Sequence, residues 1–170
     1  MSVESLFLQF SVDKLRQLAT RIEFCLGKLS EDQIWARGGQ HENAIGNLTL
    51  HLAGNVRQWI VSTLGDSPFN RDRDAEFAAR GGVTASELSA RLGDTVEQAA
   101  RVIARLNTGQ LTRVYEVQNY RVSGVEAVYH VVEHFAEHTG QIIFATKILT
   151  GEDLGFYRHL NNAAHLEHVP

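Results

Sequence analysis

Eight histidines in a chain of 170 residues, with one cysteine and two prolines, mark where the chemistry of this sequence lies. Three of them, His130, His134 and His138, recur at four-residue steps in one uninterrupted segment. Imidazoles at i and i+4 on a helix project from the same side and can bind one ion, each nitrogen about 2.0–2.1 Å away. Counting about 100° per residue, with His138 at zero, the apolar seam centres near +20° and His134 and His130 fall near −40° and −80°. His138 is thus expected in the core seam, His134 at its shoulder and His130 at the solvent boundary. Residues 130 and 138 lie about 12 Å apart along the axis, so His134 and His138 make the better ligand pair.

A third candidate, His51, stands in another apolar helix beside Leu52 and in line with Asn47 and Asn55. An imidazole buried among Leu, Val and Trp needs partners for its nitrogens, and two facing histidines with a divalent ion would supply them. Three neutral imidazoles leave coordination positions open, the pattern of a catalytic rather than a closed structural site. Imidazoles bound to metal need groups that orient their second nitrogen; Glu137, Gln141, Asn47 and Asn55 are close enough in sequence. His41, His159, His165 and His168 fall in loop or tail and read as solvated. Cys25 reads as a small buried apolar residue rather than a nucleophile. Arg71, Arg73 and Arg80 alternate with Asp72, Asp74 and Glu76 and read as a solvated charge run.

Long helices must carry these residues. The set Leu8, Val12, Leu15, Ala19, Ile22 and Leu26 forms one helical stripe ending at Gly27. Ser30 and Gln33 start a short turn bearing Trp35. A second helix is expected from about Asn43 to Leu64, stopped by Gly65–Pro68. Residues 66–83 are charged and glycine-rich, the longest crossover available, and would allow helices two and three to run parallel. Thr84 and Glu87 cap a third helix through Leu106, with Asn107-Thr108-Gly109 ending it. Residues 111–122 read as an extended connector or short ribbon. Ser123 and Glu126 cap a fourth helix of about 27 residues, roughly 40 Å long, running to Thr150-Gly151. These elements predict an all-α fold, a four-helix bundle within one domain spanning 1–170, with residues 151–170 as a C-terminal tail.

Composition excludes several classes. A net charge of −4 with interspersed signs lacks the clustered basic face that nucleic acid requires. No run of 18 apolar residues and no basic, apolar leader occurs, so neither a membrane span nor a signal peptide is expected. A lone cysteine can form no internal disulfide and points to a reducing compartment. No phosphate loop, G-x-S-x-G elbow or C-x-x-C pair is present.

The segments Asn47-Leu-Thr-Leu-His51-Leu-Ala-Gly54-Asn55 and His134-Phe-Ala-Glu-His138-Thr-Gly140-Gln141 together resemble the DinB/YfiT-like metalloproteins. The resemblance covers residues 1–150 in element order, including the long crossover. It implies that His51, His134 and His138 bind a divalent metal, zinc or nickel, inside the bundle, and that His130 need not. It also implies a cytoplasmic homodimer acting on a small molecule, in some relatives together with a low-molecular-weight thiol. Three functions follow as expectations. One is a metal-dependent thiol S-transferase acting on small electrophiles. Another is a metal-dependent hydrolase with Glu137 as base. The third is a non-enzymatic, stress-related metal-binding protein.

Overall fold

The computed structural model describes residues 2–162, 169 and 170. Four long helices build it: α1 (Val3–Leu26), α3 (Ile45–Val56) continuing directly as a π-helical segment (Arg57–Leu64), α5 (Ala85–Ile103) and α7 (Gly124–Thr150). Shorter pieces are α2 (Glu31–Trp35), α4 (Arg73–Ala78) and α6 (Thr108–Thr112). The fold is all-α, a four-helix bundle, as the apolar periodicity predicts.

Local signals set most boundaries. Ser30, Thr84, Asn107 and Ser123 each accept a hydrogen bond from the third backbone N–H of the helix that follows, and the side chain at that third position bonds back. Gly151 closes α7 at φ +69°, the left-handed cap that glycine adopts without strain. Asn107 starts α6 rather than merely ending α5, because its Oδ1 accepts from Gln110.

Contacts between helices define their directions. α1 runs against α5, with Glu4 bonded to Thr108 and Arg16 to Glu97. α1 and α7 run together, with Lys28 paired to Glu152 at their C-terminal ends. α3 runs against α7, since His51 faces His138 while Trp59 faces His130. Gly65, just beyond the π-segment, packs on Val102 late in α5, whereas Leu50 and Ala53 share a cavity with Arg91 and Thr95. The second and third bundle helices are therefore parallel, which residues 66–84 make possible by crossing the length of the bundle.

That crossover is more structured than its charged sequence suggests, because it contains α4, capped by Asp72 Oδ1 on the Ala75 N–H. Residues 114–123 form an antiparallel hairpin, β1 (Val114–Val117) and β2 (Tyr120–Ser123), the short ribbon of the two forms expected for this stretch. Its two-residue turn, Gln118–Asn119, has φ of +49° and +65°, the left-handed pair that matches strand twist.

The buried seam of α7 comprises Ala127, Val128, Val131, Phe135, Thr139, Ile142 and Thr146. By the same helical arithmetic it centres nearer +50° than +20°. His138 accordingly sits on the shoulder of the seam, half-buried, and not within it. Two threonines account for the rotation. Thr139 Oγ1 donates to the Phe135 carbonyl at 2.7 Å and Thr146 Oγ1 to that of Ile142 at 2.8 Å. Satisfied within their own helix, these hydroxyls are buried without further partners.

Candidate metal centre

His51 comes from the middle of α3, and His134 and His138 from consecutive turns of α7. Their candidate ligand atoms lie within 4.8 Å of one another. His134 Nε2 is 3.2 Å from both His51 Nε2 and His138 Nε2. Two nitrogens about 2.0–2.1 Å from a common ion and 3.2 Å apart subtend roughly 100°, a tetrahedral-to-octahedral angle. The three histidines picked out by spacing are thus close enough to bind one metal ion. His130 stays outside the cluster, its ring stacked on Trp59 with centroids 4.2 Å apart.

Protonation agrees with a ligand role. Burial pushes His134 down to about 3, reinforced by the neighbouring His138, His51, His130 and Arg71. Burial also lowers His51, against the opposing pull of Glu76. Both rings are neutral at physiological pH, with lone pairs available to a cation. His134 Nδ1 is buried and has no partner among the described residues.

The second nitrogens of the other two ligands are oriented by side chains. His138 Nδ1 lies 2.7 Å from Gln141 Oε1, one turn on. His51 Nδ1 lies 3.1 Å from Glu76 Oε2, on α4 of the crossover. Arg71 grips the same carboxylate in a fork, Nε to Oε1 and Nη2 to Oε2, both at 2.7 Å. Burial would raise Glu76, but the bonds from Arg71 and His51 outweigh it and hold the carboxyl below its usual range. Arg71 Nη2 also lies 3.0 Å from His51 Nδ1, but a guanidinium can only donate, so Glu76 is the neighbour able to receive Nδ1–H; in that tautomer the Nε2 lone pair faces the cluster.

Arg71 and Glu76 depart from the expected solvated run: the Arg71 side chain is only 3% exposed. Two features of α3 admit them. A Cβ on Gly54 would overlap Glu76 Oε1, so only glycine lets the pair lie against the helix. Asn47 Nδ2 donates to the carbonyls of Glu76 and Ala79 at 2.8 and 3.0 Å, and Arg37 donates to that of Phe77 at 2.9 Å, clamping the end of α4. Asn47 therefore supports the site through the backbone of Glu76 rather than by touching an imidazole. Phe77 packs its ring 4.6 Å from that of His51.

The other expected supporting residues divide. Gln141 serves as anticipated. Glu137 is exposed and bonds to no member of the triad among the described residues. Asn55 is buried with its Oδ1 unpartnered there. Cys25 is buried, and burial raises its thiol, so it is no nucleophile. His41 is exposed. His159 is half-buried beside Phe24 and Phe156 rather than solvated, and His165 and His168 lie outside the described residues. A cavity of about 310 Å³ lies between α3, α5 and the crossover, with Glu76 in its wall and no imidazole in its lining. No described helix is long and apolar enough to cross a membrane.

Comparison with known proteins places this architecture. A crystal structure of a conserved protein from Enterococcus faecalis superposes with a TM-score of 0.71 at 17% identity, covering 89% of this chain and 99% of that one. At that identity the likeness speaks for the fold alone. No curated protein matches the sequence. Residues 2–159 match the model of the DUF1572 family, described as a protein of unknown function. With nearly the whole described chain inside that match, the protein belongs to the DUF1572 family.

Proposed function

We propose that this protein is a divalent-metal-binding member of the DinB/YfiT-like group and acts as a metal-dependent thiol S-transferase on small electrophiles. The observation that carries the reading is the convergence of three imidazole Nε2 atoms, a group that among the described residues includes no carboxylate. Imidazole suits zinc and nickel, and three neutral ligands leave the full charge of either ion uncompensated. Such a site favours an anionic further ligand. The ion would supply the acidity that deprotonates a bound low-molecular-weight thiol near neutral pH.

The chain's own residues hold the arrangement. His51, His134 and His138 would bind the ion, Glu76 and Gln141 keep two rings in register, and Phe77 covers one face of His51. His134 and His138 are half-buried, which leaves an approach from solvent.

The hydrolase reading is the weaker one. It requires a carboxylate free to take a proton from water; Glu137 is exposed and bonds to no member of the triad among the described residues, while Glu76 is engaged by Arg71 and His51. The resemblance also supports a cytoplasmic homodimer, where reduced thiols are abundant.

The test is conjugation of a small thiol to a chromogenic electrophile such as 1-chloro-2,4-dinitrobenzene, by untagged protein loaded with zinc or nickel. Turnover that requires both thiol and metal, and disappears in His138→Ala, supports the transferase. Ester or amide hydrolysis without thiol would replace it with the hydrolase. Bound metal with neither activity, across a panel of thiols, would favour the non-enzymatic protein.

A further inference from the structure

A line of side-chain hydrogen bonds joins the exposed turn of the hairpin to the buried ligand His51. Trp59 Nε1 donates to Gln118 Oε1 at 3.1 Å. Gln118 Nε2 donates to Gln58 Oε1 at 2.8 Å, and Arg71 Nη1 donates to that same oxygen at 3.0 Å. Arg71 then grips Glu76, which faces His51 Nδ1, and Arg71 Nη2 itself lies 3.0 Å from His51 Nδ1 and donates to the His51 carbonyl at 3.2 Å.

The polarity of this line is fixed at both ends. An indole N–H and a guanidinium can only donate, and an ionised carboxylate can only accept. Gln118 must therefore turn its oxygen to Trp59 and its amide nitrogen to Gln58. The Gln58 oxygen is left to receive both Gln118 and Arg71. Turning either amide over would set donor against donor, so each link orients the next.

Backbone geometry also singles out this turn. Gln118 takes φ +49°, a conformation to which glycine and asparagine are far better suited than glutamine. Non-glycine residues in sparsely populated backbone regions cluster at functional sites, which directs attention to what the Gln118 side chain bonds. Gln58 and Trp59 stand at the start of the π-helical segment, the one irregular stretch among the bundle helices, and such segments recur at functional sites.

We propose that Gln118 is a positioning residue for the metal centre, acting on His51 through Gln58, Arg71 and Glu76. The proposal rests on the metal reading of the triad. The hairpin thereby sets how firmly Glu76 is presented to His51, and anything that displaces the turn loosens the His51 ligand without touching it.

The test is titration of the intact apo-protein with Co(II), following its visible d–d absorption, in wild type, Gln118→Ala, Glu76→Ala, the double variant and Asn119→Gly. Removing a group that orients a ligand directly costs about 10–100-fold in affinity, so Glu76→Ala sets the upper bound and Gln118→Ala, three links further out, raises the Co(II) Kd by about 3–10-fold. The Gln118→Ala absorption envelope shifts toward that of Glu76→Ala. The loss in the double variant falls short of the product of the two single losses, because part of the effect of Gln118 passes through that carboxylate and the rest through the direct contacts of Arg71 with His51. Asn119→Gly, which relaxes the turn and keeps both amides, leaves Kd unchanged. If Gln118→Ala lowers the unfolding midpoint but keeps the wild-type Kd and spectrum, the residue merely stabilises the hairpin and the proposal is overturned. Multiplicative losses in the double variant overturn it too. A wild-type chain that takes up no Co(II) overturns the metal reading itself, a result distinct from either.

Discussion

His51 and Glu76 meet at 3.1 Å between Nδ1 and Oε2, although 25 residues separate them and one belongs to a bundle helix and the other to the crossover. Through this contact the segment that makes helices two and three parallel also reaches the candidate metal centre. The fold cannot shorten the crossover without losing the group that orients a ligand.

The first prediction concerns the ligands. Replacing His51, His134 or His138 by Ala, one at a time, lowers metal content from near one per chain to a small fraction. His130→Ala leaves it unchanged, because that ring stacks on Trp59 outside the cluster. Elemental analysis of untagged protein measures both, and metal loss in His130→Ala would reassign the pair to His130 and His134.

Glu76→Ala strands the Arg71 guanidinium, whose side chain is 3% exposed. Breaking such a buried pair from one side costs roughly 3–5 kcal/mol. Urea unfolding of the apo-protein should show a loss of that order. Arg71→Met in the same background removes the stranded charge and should recover part of it.

Acidification supplies a third test. His134 has its folded value near 3, below the ordinary value of 6.5. The unfolded chain therefore takes up the proton first as pH falls. The stability contributed by neutral His134 is complete above about pH 6.5 and is lost progressively toward pH 3. His51 is shifted in the same direction. Urea midpoints of the apo-protein between pH 7.5 and 4.5 should fall, and less steeply in His134→Leu. An equal slope in the variant would show that other groups carry the dependence.

Gly54→Ala separates helix propensity from site geometry. Alanine favours a helix interior by about 0.8–1 kcal/mol, yet its Cβ would overlap Glu76 Oε1 and crowd Arg71 Nε. Circular dichroism should show α3 intact, while Co(II) affinity falls by roughly 10-fold or more as Glu76 is displaced. Unchanged affinity would mean that the carboxylate does not act on the ion through His51.

Much of this molecule is legible from the sequence because its determinants are local. Three capping pairs, a glycine at φ +69° and apolar residues every three or four positions specify helices within a few turns of chain. His134 and His138 are a pair by helical spacing alone, and His51 is conspicuous as an imidazole in an apolar stripe. The rotation of the α7 seam lies at the edge of that legibility. Thr139 and Thr146 count as polar in the sequence, yet each satisfies its hydroxyl one turn back and becomes core.

Tertiary structure alone decided what surrounds the ligands. Arg71 and Glu76 look like a solvated charge run, since a sequence records charges and not which of them will be drawn under a neighbouring helix. They are buried because Gly54 leaves room, Asn47 and Arg37 hold the α4 carbonyls, and His51 Nδ1 faces both the carboxylate and the guanidinium. Gln58 and Gln118, 60 residues apart, have no local pattern to join them. Spacing along one helix specifies which imidazoles can share an ion. Which groups orient those imidazoles depends on the path of the crossover and the hairpin across the bundle, and that path is set only when the helices pack.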